Sequence, residues 1–262
     1  MWTMLVVAML LADPKIESPK GSLVVVGGGA TTVKIVEKAL DLAGGSKAKV
    51  VLIAEANREN GPASLAAWRR TNAARVSLLN VSQPALAVKL LQEADLIWMP
   101  GGLQGVFMNG IRGTDIAETI QQRYRDGGIV GGTSAGAAVM SKVMIGGKSD
   151  LDSLRVGSTP YLMEGLALWP EVIVDQHFLQ KGRFNRLMLA ILDHPDLLGI
   201  GIDEETAVVV HGQKFEVIGN NNVTVLNARK ASREKLVQGE PAAARNITIH
   251  VLRDGMKFDF DE

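Results

Sequence analysis

The chain has 262 residues, 47% hydrophobic and 21% charged, with a formal net charge of +0. That composition is globular and long enough to bury an ample core, and without a basic run it gives no electrostatic case for nucleic acid. With no cysteine, disulfides, thiolate catalysis and Cys-based zinc sites are excluded. His177, His194, His211 and His250 are far apart and no H-E-x-x-H occurs, so no metal is expected.

Met1 to Ala12 is almost wholly apolar and breaks at Asp13-Pro14. It reads either as the h-region of a signal peptide or as an N-terminal segment lying on the domain surface, which leaves a cytoplasmic or exported location open. It is too short to span a bilayer. Lys15 to Gly21 is a polar, proline-containing linker. The expected division is therefore an N-terminal segment and linker over 1–20 and one α/β domain over 21–262.

Leu23 to Val26 reads as a buried strand running into Gly27-Gly28-Gly29. A helix with apolar positions Val33, Val36, Ala39, Leu40 and Ala43 follows, stopping at Gly44-Gly45. Lys49 to Ala54 (strand), Pro62 to Ala74 (helix), Val76 to Leu79 (strand) and Pro84 to Gln92 (helix) come next. Asp95 to Met99 is a strand ending at Pro100-Gly101-Gly102, and Asp115 to Arg125 is a helix ending at Gly127-Gly128. Ile129-Val130 then leads into Gly131-Gly132-Thr133-Ser134-Ala135-Gly136. Short apolar strands alternating with amphipathic helices predict an α/β fold: a largely parallel sheet flanked by helices. Beyond residue 140, Met144 to Gly165 is loop-rich. After it come a strand (172–175), a helix (182–192) and five short strands (200–202, 207–211, 215–218, 223–226, 247–252), read as a β-rich C-terminal extension.

Gly132-Thr133-Ser134-Ala135-Gly136 fits the G-x-S-x-G elbow, which presents a nucleophile on a sharp strand-to-helix turn. The glycines are required because a side chain there would collide with neighbouring backbone, and the Ala135 N–H would face a developing oxyanion. The bland alternative is a glycine-rich turn with an N-capping serine. Ligands of parallel sheets bind beyond the carboxyl ends of the strands, which is where Ser134 falls and which favours the nucleophile.

A serine nucleophile needs a base, and the base an orienting acid. His177 directly follows the strand at 172–175 and is the best base; His194 sits at a helix end, and His211 and His250 at strand ends. Asp203, Glu204 and Glu205 follow the strand at 200–202 and are all candidate acids. Lys181, Arg183 and Arg186 are either a solvated basic face or a grip for substrate carboxylates. An α/β-hydrolase order would instead combine Glu204 or Glu205 with His211 or His250. Gly27-Gly28-Gly29-Ala30-Thr31-Thr32, with Glu55 beyond it, partly fits a dinucleotide fingerprint, but Thr32 stands where the last glycine belongs.

Three separated segments carry a family resemblance: Gly132 to Ala137, Asp175-Gln176-His177-Phe178 with Arg183 and Arg186-Leu187, and Gly201 to Ala207. In this order they resemble the cyanophycinases of the dipeptidase E (S51) family of serine peptidases. The resemblance implies a class I glutamine amidotransferase-like, flavodoxin-like fold and a triad of Ser134, His177 and Glu204. It implies an oxyanion hole from the Gly102 and Ala135 N–H groups, and a substrate pocket shaped by Gln104, Asp175, Gln176, Lys181, Arg183 and Arg186. It further implies release of β-Asp-Arg dipeptides from cyanophycin, or cleavage of a related β-aspartyl peptide, with no cofactor; the oligomeric state is open, a homodimer included. Leu103 stands where the family usually carries Asn or Asp, and Lys181 where it usually carries Arg. A non-catalytic binding protein on the same scaffold is the reading from a different class.

Overall fold

In the computed structural model, which describes residues 18–146, 152–157 and 161–260, the chain begins with the buried strand β1 (Ser22–Val26). The apolar segment Met1 to Ala12 lies outside the described residues. The first half then runs α1 (Val33–Leu42), β2 (Lys49–Leu52), α2 (Gly61–Trp68), β3 (Arg75–Leu78), α3 (Pro84–Gln92), β4 (Leu96–Met99), α4 (Gln104–Ile111), α5 (Asp115–Arg125), β5 (Ile129–Thr133) and the short α6 (Ala135–Ala138). The second half adds β6 (Val143–Gly146), β7 (Tyr161–Glu164), β8 (Val172–Gln176), α7 (Phe184–Asp193), β9 (Leu198–Ile202), β10 (Thr206–His211), β11 (Lys214–Gly219) and β12 (Val223–Asn227). Four short strands complete it: β13 (Ser232–Arg233), β14 (Ala244–Arg245), β15 (Thr248–Leu252) and β16 (Lys257–Asp259).

The central sheet has the order β16-β11-β10-β1-β5-β4-β2-β3. From β1 to β3 every pairing is parallel, and β10, β11 and β16 extend it antiparallel from the other side of β1. Side chains alternate across it, as the strand period of two requires. Leu23 and Val25 pack on one face with α3, α4, α5 and α6, while Val24 and Val26 pack on the other with α1 and α2. The expected α/β architecture with helices on both faces is what forms.

The C-terminal strands divide between two sheets. β10, β11 and β16 join the central sheet, whereas β8, β9, β12 and β15 form a second one in the order β15-β12-β9-β8. One face of this second sheet, with Val172, Val174, Ile200 and Val225, shares the core of the central sheet; its other face packs Ile173 and Leu226 with Leu187, Ala190 and Ile191 of α7. Among the described residues no helix is long and apolar enough to cross a membrane.

Three local departures from the sequence expectation have physical reasons. α4 is an additional helix: Gly105, Asn109 and Gly110 depress its propensity, and burial of Phe107, Met108 and Ile111 overrides that. α2 ends at Trp68 instead of running on to Ala74, where the Thr71 hydroxyl donates to the Trp68 carbonyl at 2.7 Å. The described parts of the loop-rich stretch contain the β6–β7 hairpin pairing.

Candidate active site

Ser134 follows β5 at φ 54, ψ −113, a positive-φ conformation that a non-glycine residue adopts only when its surroundings enforce it. The surroundings are glycines. A Cβ on Gly132 would lie 2.5 Å from the Gly136 carbonyl oxygen, and one on Gly136 would overlap the Met99 carbonyl oxygen. β5 can therefore turn into α6 only with both positions bare. The serine hydroxyl lies 2.9 Å from His177 Nε2 and 3.2 Å from Gln176 Oε1. His177 Nδ1 lies 2.6 Å from Glu204 Oε1. Hydroxyl, imidazole and carboxylate thus form one continuous chain of polar contacts.

The scaffold of that chain is the turn after β1. Three successive carbonyls receive N–H groups from the segments that carry the three side chains. The Ser134 N–H donates to Val26 at 3.0 Å, the His177 N–H to Gly27 at 2.6 Å and the Glu205 N–H to Gly28 at 2.9 Å. The glycines make room as well. Gly28, at φ 112, lies under the imidazole, and a Cβ there would come 2.7 Å from His177 Nδ1 and closer still to Cε1 and Nε2. A Cβ on Gly29 would lie 2.9 Å from Glu204 Cβ. The loop that partly matched a dinucleotide fingerprint is occupied by the imidazole and the carboxylate.

The three adjacent acids take three different partners. Asp203 turns inward, its Oδ1 accepting from the Leu179 N–H at 2.9 Å and its Oδ2 from the Asn222 N–H at 3.3 Å. Glu204 meets His177, and Glu205 accepts from Asn220 Nδ2 at 2.8 Å. His177 follows β8 and Glu204 follows β9, both strands of the second sheet, so the site lies where the ends of two sheets meet. The α/β-hydrolase order has no geometric support: His211 Nδ1 lies 3.2 Å from Ser22 Oγ at the far end of β10, and His250 sits on β15 with its ring edge-on to Phe258.

Burial lowers the pKa of His177 below its ordinary value, and the Lys181 and Arg183 charges act in the same sense, against the Glu204 hydrogen bond and charge that raise it. At neutral pH the ring is therefore uncharged and able to accept a proton.

Gln104, Gln176, Lys181 and Arg183 line a cleft of about 520 Å³ on one side of Ser134, with Leu103, Tyr161 and Met163. The Gln104 amide donates to the Ile145 carbonyl at 2.9 Å, fixing α4 to β6. Asp175 and Arg186, expected to touch substrate, are each 1% exposed and line no cleft beside Ser134. Arg186 grips the Asp175 carboxylate through Nε at 2.6 Å and through Nη2. The reason is electrostatic: a carboxylate at full burial needs a cation beside it. Burial pushes the Asp175 carboxyl up, and Arg186 and Arg183 oppose that shift. The pair reaches the cleft indirectly, since Asp175 Oδ1 accepts from the Gln176 N–H at 2.9 Å and Arg183 Nη1 donates to Gln176 Oε1 at 2.9 Å.

The loop Gly101-Gly102 closes the other side of the serine. A Cβ on Gly101 would lie 3.3 Å from Ser134 Cβ, and Gly102, at φ 151, is pressed against Ala56 and Asn57. Among the described residues the Gly102 and Ala135 N–H groups have no backbone acceptor. A second cleft of about 610 Å³ opens here, lined by His177, Gly28, Asn57, Asn60, Ser64 and Trp68 among others. The sequence analysis singled out its glycine, serine and histidine walls but had no signal for the wall made by α2 and the loop before it.

Comparison with known proteins gives the family. The sequence model of peptidase family S51 matches residues 23–218. The cyanophycinase of Geminocystis herdmanii (strain PCC 6308) is 33% identical over 256 residues, covering 92% of this chain and 94% of that protein. The cyanophycinase of Nostoc sp. (strain PCC 7120 / SAG 25.82 / UTEX 2576) is 32% identical over 263 residues, covering 92% of this chain and 86% of that protein. Two solved structures share the fold. A peptidase from an acI-B1 Actinobacterium has a TM-score of 0.65 at 21% identity, covering 92% of this chain and 97% of its own. A putative peptidase E protein from Listeria monocytogenes EGD-e has a TM-score of 0.55 at 16% identity, covering 77% and 99%. With a family match over most of its length and relatives above 30% identity, the chain belongs to peptidase family S51 as a cyanophycinase-like, serine-type peptidase.

Proposed function

We propose that Ser134 is the nucleophile, His177 the general base and then acid, and Glu204 the residue that orients the imidazole. The observation that carries this is the unbroken sequence of contacts at 2.9 Å and 2.6 Å from hydroxyl to imidazole to carboxylate. Ser134 Oγ attacks the substrate carbonyl while His177 Nε2 takes its proton. The Gly102 and Ala135 N–H groups receive the oxyanion. Collapse of the tetrahedral species expels the amine, protonated by His177, and leaves an ester on Ser134 that water cleaves by the same steps in reverse.

The substrate we propose is cyanophycin, degraded from a chain end to β-Asp-Arg dipeptides. Support comes from the cyanophycinases that align over nearly their whole length and from the exposed Lys181 in the cleft beside Ser134, placed to meet a carboxylate. A second reading, an S51 dipeptidase for other aspartyl or isoaspartyl peptides, is favoured by one observation: no Asp or Glu among the described residues lines either cleft to receive a guanidinium.

Incubation with cyanophycin and a panel of β-aspartyl dipeptides, with products identified by mass, separates the two. Release of β-Asp-Arg from the polymer supports the first, and cleavage of dipeptides alone the second. Ser134→Ala and His177→Ala should each lower kcat on the order of 10⁶-fold. Retained turnover in Ser134→Ala sinks the mechanism. Failure of a fluorophosphonate to label Ser134, with no substrate cleaved, would favour a binding protein on this scaffold.

A further inference from the structure

A third cleft, of about 880 Å³, adjoins the two that meet at Ser134. It shares Gly102 with both, Asn57 with the larger and Leu103 with the smaller, and Ser134 is not in its wall. Its backbone is tied to the loop beside the serine. The Leu103 N–H donates to the Ala56 carbonyl at 2.9 Å, and Gly102 is pressed against Ala56 and Asn57.

Glu55, just past the carboxyl end of β2, lines this cleft. Its side chain is 6% exposed, and among the described residues it has one partner, Arg58, whose side chain is 65% exposed. Arg58 Nε and Nη2 both donate to Glu55 Oε2, at 2.8 Å and 2.6 Å. α4 is bare where it faces this carboxylate: a Cβ on Gly110 would lie 2.7 Å from Oε2. The contrast is with Asp175, a buried carboxylate held by an arginine that is itself 1% exposed. The counter-ion of Glu55 is a long side chain lying mostly in water, which can exchange for another guanidinium of the same geometry. The rest of the wall suits an arginine side chain. Leu103 and Val106, 61% and 50% exposed, offer apolar surface to its hydrocarbon stem. Glu59, exposed at the rim, adds a second negative charge.

We propose that Glu55 forms a guanidinium subsite, that Arg58 fills it in the free enzyme, and that an arginine side chain of the substrate displaces Arg58 from it. The proposal rests on the reading of the substrate as an arginine-bearing polymer. It gives the enzyme a preference for arginine-bearing chains without a negative charge beside the reacting carbonyl.

The test compares trimers of β-Asp-Arg with trimers carrying citrulline, the uncharged isostere of arginine, at one unit at a time. The readout is the kcat/KM ratio of arginine to citrulline at each of the three positions. At one position Glu55→Gln should lower this ratio about tenfold, the loss of a hydrogen bond between charged groups. Arg58→Ala should raise it about twofold to fivefold at that same position, because the site no longer has to be vacated. In the Glu55→Gln background Arg58→Ala should not raise it. A pair with a purely structural role would move no position, and a general charge effect on a cationic chain would move all three alike. Either result overturns the proposal, as does a lower ratio in Arg58→Ala. If the parent enzyme cleaves no trimer, the substrate reading fails, and the subsite is judged by binding alone. Argininamide should then raise the melting temperature of Arg58→Ala saturably, citrullinamide should not, and the rise should vanish when Glu55→Gln is added. A melt unmoved by argininamide would overturn the subsite as well.

Discussion

Gly28 has no functional group, yet Gly28→Ala should disable the enzyme. A methyl group there would lie 2.7 Å from His177 Nδ1 and nearer to Cε1 and Nε2, whereas ordinary contact begins near 3.4 Å. The imidazole would have to retreat by about 1 Å, a displacement of a catalytic group that costs roughly 10²-fold in rate. It cannot retreat and keep both its 2.9 Å contact with Ser134 and its 2.6 Å contact with Glu204. With part of the general-base contribution also lost, kcat should fall by about 10²–10⁴-fold. The backbone strain of alanine at φ 112 adds a stability cost of ~1–3 kcal/mol. Gly44 supplies the control: its φ is 101, and an added Cβ would meet nothing within 4 Å. Gly44→Ala should therefore show a similar loss in thermal melting with activity retained. The assays are the rate of fluorophosphonate labelling of Ser134, turnover, and a melt followed by circular dichroism. Turnover of Gly28→Ala within threefold of the parent would refute the claim that this glycine is required beneath the imidazole.

The acid limb of kcat/KM should report protonation of His177, with activity lost as pH falls through an apparent pKa below the ordinary 6.5. Lys181→Ala removes a charge that lowers this pKa and should move the limb up; Glu204→Gln removes contributions that raise it and should move the limb down, with a loss of activity. A limb unmoved by both substitutions would show that another group titrates. Asp175→Asn removes the carboxylate held by Arg186 at full burial and should cost about 3–5 kcal/mol in chemical denaturation. Asp175→Leu combined with Arg186→Met should recover much of that loss, and a single variant within 1 kcal/mol of the parent would deny the pair a structural role.

The first half of the fold was legible because buried parallel strands read as continuous apolar runs between glycine-marked turns. Leu23 to Val26 and Asp95 to Met99 needed nothing more. The later strands were equally visible as segments, but the sheet each joins is a tertiary choice. β9 and β10 are separated by only three residues, Asp203 to Glu205, and are both apolar, yet they lie in different sheets. Spacing likewise could not tell a buried arginine from an exposed one. Arg183 and Arg186 read as one basic helix face, yet both are buried, at 7% and 1% exposed, and both turn toward Asp175.

The order Ser, His, Glu along the chain follows from that division between sheets. The proposed nucleophile follows β5, in the centre of the main sheet beside β1. The other two side chains come from the parallel pair β8 and β9 of the second sheet, in that order. The two sheets meet at the turn after β1, where the carbonyls of Val26, Gly27 and Gly28 take one N–H from each functional segment. A Cβ at Gly27 would overlap the Asp203 carbonyl oxygen, so the approach that brings Glu204 to His177 itself requires a bare backbone. The catalytic chemistry we propose resides in three side chains far apart in sequence; their relative positions reside in three consecutive glycines that carry no chemistry. Substitutions at Gly27 to Gly29 should therefore impair labelling of Ser134 more than polar substitutions at the exposed Lys181 rim do. Fluorophosphonate labelling rates across both sets measure this, and equal sensitivity of the two sets would place the control of geometry elsewhere.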